Sequence, residues 1–420
     1  MGRADAYNLV HITTGGEYKT PLVASQLFDQ AEWQAVTKEG FAPQKVEAWI
    51  IGPMREYFDK ESQIKVNNLK ARCPHITIRM ANGIGRLKMF PVLKLMKQNR
   101  LRLGRDIPVI YHCRGEKAAE WASMLRSQFP QDKVVLDVRG YWPAELLYNR
   151  GIDDPALAQG ADVAAFQKAY TYLREIVGKA DAITTVSVAL KDLLIKEMNA
   201  PANTFVVPCC VSEITSDARR AEIRKSWGVS DEEIVLVYSG STAAYQHLED
   251  LTIPFLKKLT ERNSRIRLAF LSAEVDQIKA MLTAAGVDTT RVILKSFPQK
   301  EVAVALTACD AGILIRKPTL VNRVANPVKI AEYLAAGLPI IIEKGVGGVS
   351  DVLFDRSLLK RMEITKAGTD INGIAADVNN WLADDIKGKR PQVRDYAKEV
   401  YLWSSAIHVS RKMYKSALGS

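Results

Sequence analysis

RKPTLVNRVANPVKIAEYLAAGLPIIIEKGVGGV, residues 316–349, decides the fold. Asn326-Pro327 reads as a helix start, because an Asn side chain accepts from exposed first-turn amides and Pro needs no amide there. Ala331, Leu334 and Ala335 make an apolar stripe. Gly337 closes the helix where a left-handed residue is wanted, and residues 338–342 return as a short buried strand. Helix, tight turn and strand follow one another here.

The helix start carries the chemistry. First-turn amides and the positive end of the helix dipole open at residues 326–329, and Arg316, Lys317, Arg323 and Lys329 place four cations around them. That combination suits a phosphate-bearing ligand. Glu332 lies one turn after Lys329 on roughly the same face, so its carboxylate is placed to accept from ribose hydroxyls while Lys329 meets phosphate. The same spacing also suits a solvated amphipathic helix on which Lys329 and Glu332 pair with each other.

Outward from this stretch, apolar runs alternate with helix-length segments. Residues 8–13 (NLVHIT) read as a first strand that runs into Thr14-Gly15-Gly16, where glycines let the backbone turn sharply and approach a ligand. Helical spacing resumes at about Pro21. No Gly-x-Gly-x-x-Gly follows, so this is not a dinucleotide fingerprint. Glu17 and Lys19 are candidate acceptor-side residues in that loop. Residues 46–52, 76–80, 109–113, 134–138, 182–186 and 205–208 read as further strands, with Ser187 as a helix cap. His112, Arg114, Asp137, Arg139 and Glu145 follow or end strands, where a cleft at the strand ends requires polar groups and where mid-strand polarity would only cost stability.

The second half restarts the alternation, with strands expected at 234–238, 267–271, 292–294 and 311–315 and a small-residue loop, Ser239-Gly240-Ser241-Thr242, after the first. Two loops at the same sheet edge can share one diphosphate, which would bring Gly240, Ser241, Arg316 and Lys329 together. Residues 393–418 have helical spacing with Val400, Trp403, Ile407 and Tyr414 on one face. The expected organisation is a Rossmann-like domain over residues 1–211, a second over 212–392 and a C-terminal helix over 393–420 that packs back on the first domain.

A chain of 420 residues exceeds one ordinary core, and 47% hydrophobic with 25% charged residues is a soluble globular composition. No run approaches the roughly 18 apolar residues that would cross a bilayer, and the start lacks a signal peptide, so a cytoplasmic location is expected. The five cysteines lack metal-ligand spacing. The net charge of +11 points to an anionic partner. Residues 86–105 hold seven cations (Arg86, Lys88, Lys94, Lys97, Arg100, Arg102 and Arg105) and no acid, interleaved with Leu, Met and Val. A helix there from about Pro91 suits an anionic membrane surface and equally suits core packing with a solvated basic face. No nucleic-acid module or aromatic-interleaved basic stripe is present, so nucleic acid is not an expected partner.

The ordered set DVRGYWPAE (137–145), ADAITTVSVALKDLL (180–194), VVPCCV (206–211), VYSGS (237–241) and PVKIAEYLAAGLPIII (327–342) resembles the GT-B-fold glycosyltransferases of the retaining glycogen-synthase-like and mannosyltransferase-like group. The resemblance implies two doubly wound Rossmann-like α/β domains facing across a cleft. It implies a nucleotide-sugar donor bound by the second domain, a glycan or lipid-linked acceptor bound by the first, and transfer without a required metal in surface polysaccharide or glycolipid synthesis. Glu332 matches the family's second glutamate, which holds the ribose. Gly240 and Ser241 match the loop beneath the diphosphate, and Gly15 and Gly16 match the amino-domain loop that closes over the phosphates. Asn326, Pro327 and Val328 form the helix start, Arg316 and Lys329 are the candidates for phosphate neutralisation, and His112 is the candidate for positioning a sugar. Val324 stands where the family's first glutamate is expected, and the uncharged run 242–246 stands where an Arg and a Lys are often found. An epimerase or hydrolase acting on a nucleotide-sugar is the alternative on the same fold.

Overall fold

Short apolar runs bounded by polar or glycine loops fold here as strands covered on both faces, as parallel sheets require. In a computed structural model, which describes residues 6–20, 23–53, 58–83, 89–347, 349, 356–365, 369–384 and 386–419, they make two sheets. Asn8–Thr14 (β1), Val46–Pro53 (β2), Thr77–Gly83 (β3), Val109–Arg114 (β4), Lys133–Val138 (β5), Ala182–Thr185 (β6) and Thr204–Val206 (β7) form the first, in the order β3-β2-β1-β4-β5-β6-β7. Ile234–Ser239 (β8), Ile266–Leu271 (β9), Val292–Lys295 (β10), Ala311–Leu314 (β11), Ile340–Glu343 (β12) and Leu359–Met362 (β13) form the second, in the order β10-β9-β8-β11-β12-β13. The pairings in both are parallel. The fold class is therefore the expected pair of doubly wound α/β sheets.

The chain divides into two compact units, Met1–Ser212 with Trp403–Ser420, and Glu213–Leu402. Helices that position the sites are Met89–Arg102 (α1) and Glu116–Arg126 (α2) in the first unit, Val328–Ala335 (α3) in the second, and Trp403–Leu418 (α4), which returns to the first. The segment 393–418 is not one helix. Arg390–Val400 ends at Tyr401, and α4 begins two residues later with the Trp403 amide bonded to the Val211 carbonyl at 3.1 Å. Trp403 is fully buried, its indole N–H donates to the Ser25 carbonyl at 3.1 Å, and Arg411 donates to Gln34 Oε1 at 3.2 Å and to the Thr37 carbonyl at 2.5 Å.

Strand β13 escaped the periodicity reading. Its sequence, LKRM, has two cations at its centre, and only Leu359 and Met362 are buried. As an edge strand it packs on one neighbour only, so it tolerates that composition. In the basic segment one cation turns inward. Arg86, Lys88 and the helix start near Pro21 lie outside the described residues. Arg100 of α1 is fully buried, paired in a fork with Asp132 at 2.6 and 2.8 Å and donating to the carbonyls of Gly104 and Ile107. Lys94, Lys97, Arg102 and Arg105 remain exposed beside Leu95, while Val92, Met96 and Leu103 are buried.

Helix α3 ends as its sequence demands. Gly337 takes φ +80°, its amide bonds to the Leu334 carbonyl at 3.0 Å, and the Leu338 amide bonds to the Tyr333 carbonyl at 2.8 Å, the paired bonds of a Schellman ending. The helix seats on the sheet through Tyr333, which is fully buried over Gly312 of β11. A Cβ on Gly312 would fall 2.3 Å from the Tyr333 ring. The Tyr333 hydroxyl accepts from the Ser239 amide at 2.9 Å and faces the Ile313 carbonyl at 3.4 Å. Gly312→Ala must push the ring and α3 off the sheet, so we expect a stability loss of about 1–3 kcal/mol, read as a lowered melting temperature. An unchanged transition would contradict this packing.

Candidate functional site

The strand order of the second sheet reverses between β8 and β11, and α/β sheets bind ligands in the crevice beyond the strand ends at such a point. Gly240 and Ser241 follow β8, and Arg316 follows β11. Gly240 has φ +141°, a conformation that favours glycine, and a Cβ there would lie 3.0 Å from Lys329 Nζ. Lys329 and Arg316 are both buried. Lys329 Nζ donates to Gln246 Oε1 at 3.2 Å, and Arg316 donates to the same oxygen through Nε at 3.1 Å and Nη2 at 2.9 Å. Lys329 sits 4.3 Å from the centre of the Tyr238 ring and the Arg316 guanidinium 5.1 Å from that of Tyr245. Tyr238 in turn donates to the Ser241 carbonyl at 2.6 Å, and the Thr242 hydroxyl donates to Glu274 at 2.6 Å, which pins the loop.

Burial, and then the neighbouring Arg316, hold the Lys329 ammonium well below its ordinary pKa, with Glu332 opposing them. Burial raises the Glu332 carboxyl against the pull of Lys329. Among the described residues no ion pair within 4.0 Å joins the two, so Lys329 is turned to the crevice and not to its helical neighbour. The helix cap is Pro327, which has no side-chain bond to give, while Asn326 is buried just before it and Val328 opens the helix. Arg323 is exposed on the short helix Leu320–Val324. Val324 is buried. The structure thus gathers Arg316 and Lys329 beside Gly240 and adds a residue that charge patterning overlooks. Gln246 looked like part of an uncharged run, yet its one amide oxygen collects three donors from two cations.

In the first unit the order reverses between β1 and β4. Gly15, at φ +63°, and the exposed Gly16 begin the turn Gly15–Lys19 after β1. His112 lies two residues before the end of β4. It is 2% exposed within β4, with Nδ1 2.7 Å from the Tyr414 hydroxyl of α4 and Nε2 4.0 Å from Asp137 Oδ2. It therefore packs in the interior of the unit against α4. His11, one strand over, stacks on it at 4.8 Å, and among the described residues neither ring nitrogen of His11 has a hydrogen-bond partner. Asp137 accepts from the Thr184 hydroxyl at 2.8 Å and lies 3.5 Å from Arg139. Burial pushes its carboxyl up, but Arg139, His112 and Arg114 outweigh burial and hold it below the usual range. Arg139 also donates to Gln26 at 3.2 Å and to the Cys209 sulfur at 3.1 Å. Among the described residues no three His, Cys, Asp or Glu side chains are arranged to hold a metal, and no helix is long and apolar enough to cross a membrane.

Residues 219–400, most of the second unit, match the family model for glycosyl transferases group 1. The fold is GT-B. Chains of that fold superpose over almost the whole length. A sucrose-phosphate synthase from Thermosynechococcus elongatus shares 14% identity over 98% of this chain and 99% of its own, with a TM-score of 0.67. A glycosyltransferase from Rickettsia africae shares 12% over 98% and 99%, with a TM-score of 0.68. Anabaena HepE, solved in complex with UDP, shares 12% over 99% and 100%, with a TM-score of 0.67. No curated protein matches the chain by sequence.

The buried histidines make the first unit acid-sensitive. In an unfolded chain imidazole takes its proton at about pH 6.5. Burial lowers His112 to about 4 and His11 well below its ordinary value. Between those limits the unfolded chain binds more protons. Stability is therefore full above about pH 6.5 and is lost as pH falls, by about 1.4 kcal/mol per pH unit for each histidine. His11→Phe keeps the ring stacked on His112 and removes one titrating group, so urea unfolding at stepped pH should show a shallower decline. A slope equal to that of the unaltered protein would contradict the burial argument.

Proposed function

We propose that this protein transfers a sugar from a nucleotide-sugar donor to a glycan or lipid-linked acceptor, with the donor diphosphate held at the β8/β11 crevice of the second unit. The observation that carries this reading is the convergence of three donors from Arg316 and Lys329 on the single neutral oxygen of Gln246. The buried Lys329 ammonium meets only a neutral oxygen and the face of the Tyr238 ring among the described residues, and a diphosphate brings the opposite charge to it. Departure of a nucleoside diphosphate builds negative charge, which prearranged cations and the first-turn amides of Val328 and Lys329 stabilise without a metal in this proposal. Glu332, one turn along α3, is assigned to the ribose hydroxyls. No carboxylate lies within ion-pair distance of Lys329 among the described residues, so no covalent intermediate is assigned, and retention is proposed from the family resemblance.

Calorimetric titration of UDP and GDP, and of their glucose and mannose conjugates, tests the donor site. Lys329→Met removes a charge-assisted contact worth about 1.5–3 kcal/mol and should weaken the preferred nucleotide at least about tenfold. Glu332→Gln should weaken it less, and Gln246→Glu should weaken it by occupying both cations with a carboxylate. Unchanged affinity in all three would place the donor elsewhere. Turnover of donor without any acceptor would favour an epimerase or hydrolase.

We further propose that the acceptor is met at the cytoplasmic face of a membrane. The support is the exposed set Lys94, Lys97, Arg102 and Arg105 around Leu95. Each such cation contributes about 1 kcal/mol at an anionic surface. The protein should sediment with vesicles containing phosphatidylglycerol and not with phosphatidylcholine alone, and Lys94→Glu with Lys97→Glu should abolish that difference. Equal binding to both vesicles would remove the membrane from the proposal.

A further inference from the structure

Arg114 ends β4 at the reversal point of the first sheet, opposite the loop that follows β1. Its side chain is nine-tenths buried, at 10% exposure, yet its guanidinium makes no hydrogen bond among the described residues, and Nη1 is fully enclosed with no partner. Its nearest carboxylate is Glu17 Oε2, 3.9 Å from Nε, on a side chain that is 54% exposed. The other carboxylate nearby, Asp137, is already engaged by Thr184 and Arg139. Arg139 adds a second positive charge beside Arg114. Immediately after Arg114 the chain turns through Gly115, at φ +77°, into α2, whose first-turn amides have no helical acceptor. A buried guanidinium without hydrogen bonds is costly unless an anion completes it.

We propose that Arg114 receives an anionic group, phosphate or carboxylate, carried by the acceptor, and that Glu17 stands in for that group while the site is empty. This rests on the reading of the first unit as the acceptor side. The exchange leaves the local charge balanced, because the incoming anion replaces a carboxylate that swings out to solvent.

The test is calorimetric titration of the full chain with inorganic phosphate at constant ionic strength, on a Lys329→Met background so that the cations of the second unit contribute less. Glu17→Gln removes the competing carboxylate and should tighten phosphate binding severalfold. Arg114→Gln should weaken it at least tenfold, and Arg114→Lys should recover part of the loss. Glu17 is exposed, so its variant remains informative even if Arg114→Gln folds poorly. Glucose 6-phosphate and glucuronate then separate phosphate from carboxylate sources, with glucose as the neutral control. Phosphate affinity indifferent to Glu17→Gln, or glucose binding as tightly as its charged derivatives, would overturn the proposal. Because phosphate binding is read without donor or transfer, its failure is distinct from failure of the donor site, which the nucleotide titrations report.

Discussion

Tyr333 occupying the space that a Gly312 side chain would take is the contact on which the second unit's chemistry depends. Its hydroxyl meets the Ser239 amide of β8 and faces the Ile313 carbonyl of β11, so one side chain ties α3 to both strands that flank the reversal point. Lys329 precedes Tyr333 by four residues and so shares its helical face. Seating Tyr333 delivers the Lys329 ammonium to the crevice, where Gly240 again leaves room by lacking a side chain. Two absent Cβ atoms and one aromatic ring thereby convert a helix that would otherwise present a lysine to solvent into one that buries it.

Burial of that lysine raises its energetic cost, and the structure offsets the cost only in part. Gln246 Oε1 accepts from both cations and Tyr238 lends the face of its ring, but neither carries a charge. Arg114 of the first unit is in a comparable state, enclosed beside Arg139 with an exposed glutamate at a distance. Lys329 in one unit and Arg114 in the other stand at a strand-order reversal, where neighbouring loops leave in opposite directions and open a crevice. Cations paired with carboxylates sit elsewhere. Arg100 with Asp132, and Arg390 and Arg394 with Asp217, are paired structural contacts away from the crevices.

The alternation of strands and helices was legible because strands buried on both faces read as unbroken apolar runs, and the ending of α3 was legible because Gly337 adopts a conformation few other residues tolerate. Strand β13 was not, since an edge strand needs no such run. The break between Arg390–Val400 and α4 was hidden because both sides keep helical spacing. Nor could spacing show that Arg100 turns inward, because its partner Asp132 is contributed by a distant part of the chain.

By itself the sequence determined two doubly wound α/β halves and the helix that carries Lys329 and Glu332, because periodicity, glycine and proline act through local backbone geometry. Only the tertiary structure decided which polar side chains share a crevice. Gln246 joined Arg316 and Lys329 across 70 and 83 residues of chain. His112 was drawn into the interior by Tyr414 from 302 residues away, and Arg114 was left enclosed without hydrogen bonds among the described residues. Those outcomes depend on packing between segments remote in the chain, and no local pattern encodes the distance between them.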